Sequence, residues 1–180
     1  MLKITVPGRE LWDENNSVFV QMKSTDLVLE HSLVSLSKWE SAYKKPFLTK
    51  EKKTREETID YIRFMTITQN VNDEVYDQMS EETISAISKY IEDPMTATTF
   101  PDKDKGGASR EVITSELIYY WMIAFTIPVD REKWHLNRLL TLIRVCSIKS
   151  KQSKPRSKSD ILRQNKHLND LRRQKLNTKG

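Results

Sequence analysis

With 180 residues, 37% hydrophobic and 31% charged, the chain is long enough for one domain with or without a tail, and its apolar content is modest. Four Gly and six Pro exclude collagen-like and Gly-rich low-complexity classes, and a lone cysteine, Cys146, excludes an intramolecular disulfide framework or a multi-cysteine zinc site. The net charge of +5 is unevenly placed: residues 149–180 hold eleven Lys/Arg against two Asp/Glu, a local +9, which leaves −4 on residues 1–148.

A single thiol suits a reducing compartment. The opening MLKITVPGRELWDE has no apolar signal-like stretch, and the longest mostly apolar run, 117–129, is 13 residues, too short to span a bilayer. A soluble, cytoplasmic protein with no membrane partner is expected.

In chain order, residues 2–6 alternate in polarity and are broken by Pro7-Gly8. Residues 17–22 are β-branched and aromatic, and 26–30 follow after a polar gap. Two or three short strands are predicted, forming a small antiparallel sheet that must lie on helices. From Ser32 the period becomes helical, with Leu33, Leu36, Trp39 and Tyr43 ahead of a stop at Pro46. Thr54 and Glu57 have capping-box spacing before a helix carrying Ile59, Ile62 and Met65. Ser80 with Glu81-Glu82 predicts another start, and Ile84, Ile87 and Ile91 give that helix one apolar stripe. Residues 94–109 predict a flexible loop, with Ser109 able to cap the next helix.

Between 111 and 148, 22 of 38 residues are hydrophobic, against 5 of 32 in the tail. One helix is predicted from about Arg110 to Thr126, apolar almost all round and therefore buried on several sides. Pro128 ends it, and Asp130 can cap a second with Leu136, Leu139, Leu140, Ile143 and Cys146 on one stripe. Their short connection predicts an αα-hairpin at the centre of the core. The fold class is thus α+β and mainly helical: a short N-terminal antiparallel sheet and a helical bundle with a buried αα-hairpin in residues 1–148. A flexible basic tail, 149–180, comes after it, with a disordered linker at 149–159 and a helix at 160–176.

Chemistry-bearing motifs are sparse. His31, His135 and His167 form no ligand cluster and fit a strand–helix corner, a helix start and the tail. No GxSxG, Cys–His, P-loop or dinucleotide motif is present. Adjacent carboxylates such as Glu56-Glu57 suit helix starts better than acid–base work. These residues predict no catalytic site, no cofactor and no metal.

Two interaction signals remain. The cations Lys151, Lys154, Arg156, Lys158, Arg163, Lys166, Arg172, Arg173 and Lys175 can follow a nucleic-acid backbone, contact an acidic protein, or keep the chain soluble. The tail has no aromatic residue to stack on bases. The tryptophans Trp12, Trp39, Trp121 and Trp134 are core by default. Trp121, Met122, Trp134 and Trp39 can also line a groove for a partner helix.

Several strings carry a resemblance: LEHSLVSLSKWE at 29–40 with KPFL at 45–48, YIEDPMTA at 90–97, TSELIYYWMI at 114–123 and WHLNRLL at 134–140. Together they resemble small proteins encoded in the tail modules of long-tailed bacteriophages, the tail assembly chaperones, along nearly the whole chain. The resemblance implies a non-enzymatic protein in the host cytoplasm. It would hold the helical, aggregation-prone tape measure protein until tail tube subunits polymerise around it. A second copy of the chain, and nucleic acid bound through the tail, are the further partners expected. No binding residue transfers by motif.

Overall fold

A computed structural model describes residues 1–8, 10–13, 18–21, 23–100, 112–152 and 158–176. The chain forms two compact units, Met1–Arg144 and Val145–Gly180. As the hydrophobic periodicity predicts, the fold is mainly helical with antiparallel N-terminal strands.

Four strands occur rather than two or three: β1 (Leu2–Val6), β2 (Glu10–Asp13), β3 (Val18–Gln21) and β4 (Thr25–Leu29). β1 pairs with β4, from Leu2 opposite Leu29 to Val6 opposite Thr25. β2 pairs with β3, from Glu10 opposite Gln21 to Asp13 opposite Val18. Both ladders obey one register, so the strands make a single long hairpin interrupted near Pro7, whose nitrogen has no proton to donate. Leu27 and Leu29 are buried, while Thr5 donates across the pair to Asp26 (2.6 Å) on the exposed face.

The sheet rests on helices with strong start signals. In α1 (Leu33–Tyr43), Ser32 and Ser35 form a reciprocal capping box. The helix stops where Lys44 turns left-handed and its N–H bonds the Glu40 carbonyl. α2 (Arg55–Met65) begins with the predicted Thr54–Glu57 box. The two helices meet at Trp39, whose Nε1–H donates to the Glu57 carbonyl at 3.0 Å, and beneath a Phe47–Tyr61 stack with centroids 4.0 Å apart. After α2 the chain runs beside β4: Ile67 N–H donates to Val28 O, and Glu30 N–H to Met65 O. This covers part of a sheet edge that would otherwise be open. Leu27, Leu29, Leu33, Leu36, Ile62 and Met65 fill the space between.

A one-turn α3 (Glu74–Asp77) precedes α4 (Glu81–Glu92), which Ser80 caps as its sequence predicts. α5 (Ser115–Ala124) is shorter than expected and is capped by Thr114. Arg110 and Ser109, and most of the predicted loop, lie outside the described residues. α5 ends because Thr126 takes a left-handed conformation (φ 56°) while Ile127 N–H reaches back to Met122 O. Asp130 starts no α-helix; residues Val129–Lys133 form a 3-10 turn instead. α6 (Leu136–Gln152) begins later, pinned where Leu136 N–H donates to His31 O at 2.7 Å.

Ile118 and Met122 of α5 and Leu136, Leu139 and Ile143 of α6 are buried, but α5 packs chiefly on α1, whereas the expected αα-hairpin requires it to pack on α6. The expectation that α5 is covered on several sides fails, because α5 packs chiefly on α1 and leaves its outer face to solvent. Residues 149–152, assigned to a linker on composition, continue α6. Within the second unit α7 spans Lys158–Leu176, and the described side chains along it are exposed.

Candidate functional site

An apolar surface outside the core lies on α5. Ser115, Ile118 and Met122 form its inward stripe, so Tyr120 and Ile123 must point away from α1. They are 63% and 77% exposed. Leu117, Tyr119, Trp121 and Phe125 flank them, each half-buried, and Val129 past the helix end is exposed too. A run of aromatic and branched side chains in water is what a monomer normally avoids. Its rim is polar: Tyr119 donates to Glu132 (2.9 Å), which raises the phenol to about 12 through burial and the neighbouring carboxylate.

The four predicted partner-binding residues divide. Trp121 lies on this patch. Trp134 is half-buried nearby in the chain, with the Arg131 and Arg138 guanidinium carbons 4.3 and 4.0 Å from its ring centroid. Such cation–π contacts suit an aromatic at a wet interface. Met122 and Trp39 are corrected: they are 2% and 1% exposed, so this fold presents neither to a partner. Their sequence spacing does not distinguish the inward stripe of a helix from its outward one. Tyr120 and Ile123, absent from the predicted set, carry the exposure. Their signal was the lack of any polar residue between 117 and 125.

The described tail cations occupy two helices. Lys151 is exposed on the last turn of α6, and Arg163, Lys166, Arg172, Arg173 and Lys175 are exposed along α7. Lys158 is the first residue of α7, and Lys154 and Arg156 lie outside the described residues. Cations on several faces of one helix give a positive rod without a defined reading edge.

Buried polarity gathers at the corner between β4 and α1. His31 Nδ1 and the Tyr61 hydroxyl are hydrogen-bonded at 2.6 Å. The His31 ring meets His135 edge-on, centroids 5.1 Å apart. His135 Nε2–H donates to the Tyr90 carbonyl at 3.0 Å, and its Nδ1 is buried with no partner. The Tyr90 hydroxyl donates to Glu30 (2.7 Å), which also pairs with the amino group of Met1. Burial, with His135 second, pushes the His31 imidazole down to about 3, and burial lowers His135 too. Both rings are therefore neutral and sealed, and they act as hydrogen-bonding joints between β4, α2, α4 and α6.

A second buried joint is Glu40. Its two carboxylate oxygens accept from Phe47 N–H (2.8 Å) and from Ser115 N–H (2.7 Å), which fastens the first turn of α5 to α1. Glu57 is held below the usual carboxylate range by Lys45 and by the Thr54 N–H. Among the described residues no group of His, Cys, Asp or Glu could hold a metal ion.

Comparison with protein families, with curated proteins and with solved structures finds no match for this chain. No described helix is long and apolar enough to cross a membrane.

Proposed function

We propose that this chain is a non-enzymatic assembly chaperone of a bacteriophage tail, acting in the host cytoplasm. It would shield helical segments of the tape measure protein until tail tube subunits take them over. The observation that carries this reading is the apolar outer face of α5, with Tyr120 and Ile123 exposed on a helix that Glu40 fixes to the core. A rigid helix presenting aromatic and branched side chains fits the apolar stripe of a partner helix. The phage-tail resemblance of the strings at 29–48, 90–97, 114–123 and 134–140 supports the same partner.

The test is co-expression with a tape measure protein. The partner's soluble fraction should rise, and the two should co-purify. Tyr120→Asp combined with Ile123→Asp should abolish both effects while leaving the melting temperature unchanged. No gain in solubility with the native chain would refute the proposal.

A second reading draws on α7. Five exposed cations on one helix favour a polyanion, and nucleic acid is the runner-up partner. Random-sequence DNA should then bind at low salt, with affinity falling steeply as salt rises. Replacing Arg163, Lys166, Arg172 and Arg173 by Glu should eliminate it. Binding that survives this change would not come from the tail.

A further inference from the structure

α4 is amphipathic, and Ile84, Ile87 and Ile91 should bury its stripe against a neighbour. The stripe faces α2 across a gap. A cavity of about 140 Å³ opens there, walled by the three isoleucines on one side and by Phe47, Tyr61 and Ile62 on the other. The walls are almost wholly carbon, yet Ile84 and Ile91 remain half-exposed and the cavity opens to solvent. An apolar void of roughly 150 Å³ can hold a molecule the size of benzene.

One cation stands at this cavity. Lys53 is half-buried in its lining, with Nζ 4.2 Å from the Phe47 ring centroid and 2.7 Å from the Phe47 carbonyl, to which it donates. Glu57, whose charge acts on Lys53, is already engaged by Lys45 and by the Thr54 N–H. Among the described residues no carboxylate lies within ion-pair distance of Lys53. An ammonium has three donors, and the Phe47 carbonyl uses one. Burial lowers the Lys53 pKa against the opposing pull of the Glu57 carboxylate.

We propose that the α2–α4 cavity is a binding site for a small amphipathic carboxylate, with its aryl or short alkyl group among the isoleucines and its carboxylate on Lys53. Charge complementarity selects this class: the apolar walls take the body, and an anion supplies what the Lys53 ammonium lacks. The site is independent of the α5 face, so either can fail without the other.

Benzoate is the probe and benzyl alcohol its neutral counterpart, each titrated into the full-length protein and followed by amide NMR shifts. Benzoate should bind in about the millimolar range, as its few heavy atoms allow, with the largest shifts at Phe47, Ile84, Ile87 and Ile91. Benzyl alcohol should bind about tenfold more weakly, because a charge-assisted hydrogen bond is lost. Lys53→Met should remove that difference by weakening benzoate alone. Ile84→Trp, which fills the cavity, should abolish binding of both. Should Ile84→Trp not fold, the Lys53→Met comparison still decides. The proposal is overturned by absent shifts at the four cavity residues, by shifts confined to α7, or by equal affinity for the two probes. Equal affinity would point instead to a purely apolar occupant such as a partner's side chain.

Discussion

α1 and α5 are nearly equal in length, at 11 and 10 residues, and opposite in what their compositions suggest. α1 carries three serines, a lysine and a glutamate, yet buries Leu33, Ser35, Leu36, Trp39 and Glu40. α5 has no polar residue after Glu116, yet buries only Ser115, Ile118 and Met122. The difference lies in their neighbours. α1 packs against both α2 and α5, whereas α5 packs chiefly on α1. Hydrophobicity sets how much a helix gains from cover, but position in the fold sets how much cover it receives.

Substitutions across these two helices sharpen the contrast. Trp39→Ala should be the most damaging, costing about 3–5 kcal/mol in a urea melt, since it empties a large core volume and removes the indole hydrogen bond to the Glu57 carbonyl. A cost below that of an ordinary surface change would mean that α1 is not the packing centre. Glu40→Ala strips the acceptor from two buried N–H groups, at Phe47 and Ser115, and should cost about 2–4 kcal/mol. Hydrogen exchange should show the first turn of α5 opening earliest. Glu40→Gln, which keeps one acceptor, should recover roughly half of the loss.

Acid should weaken the corner where α1 begins. His31 and His135 are both depressed in the folded state, so below pH 6.5 the unfolded chain binds protons that the folded chain refuses, for His31 down to about pH 3. Their contribution is complete above the unfolded value near 6.5 and shrinks as pH falls, by up to about 1.4 kcal/mol per pH unit for each ring. Urea midpoints at pH 7, 5 and 4 should follow that slope, and His31→Asn should flatten it. An unchanged slope in the variant would remove His31 from the account. The smallest effect is expected on the outer face of α5: Tyr120→Ser and Ile123→Ser should each move stability by no more than about 0.5 kcal/mol. A large loss there would show that the face is covered within the folded chain.

Local signals proved readable where they are short-range. The Thr54–Glu57 box, the Ser80 cap, the α1 stripe and the stripe Leu136, Leu139 and Ile143 on α6 all follow from spacing of four residues or fewer. β2 has no such signal, because its four residues, ELWD, alternate over too short a span. Asp130 looked like a cap, but α6 starts at Leu136 because the His31 carbonyl, about a hundred residues away, takes its first free N–H.

The amino-acid order by itself determined the starts of α1, α2 and α4, the helix periods, the mainly helical class and the separation of an acidic body from a basic tail, because caps, stripes and charge counts act over a few residues. Tertiary structure alone decided which apolar residues are hidden. It sent Met122 inward and Tyr120 outward from one uniform run, joined His31 to His135, and left α4 standing off α2 around a cavity beside Lys53. Those outcomes depend on which elements meet, and contacts between residues far apart in the chain have no local trace in sequence.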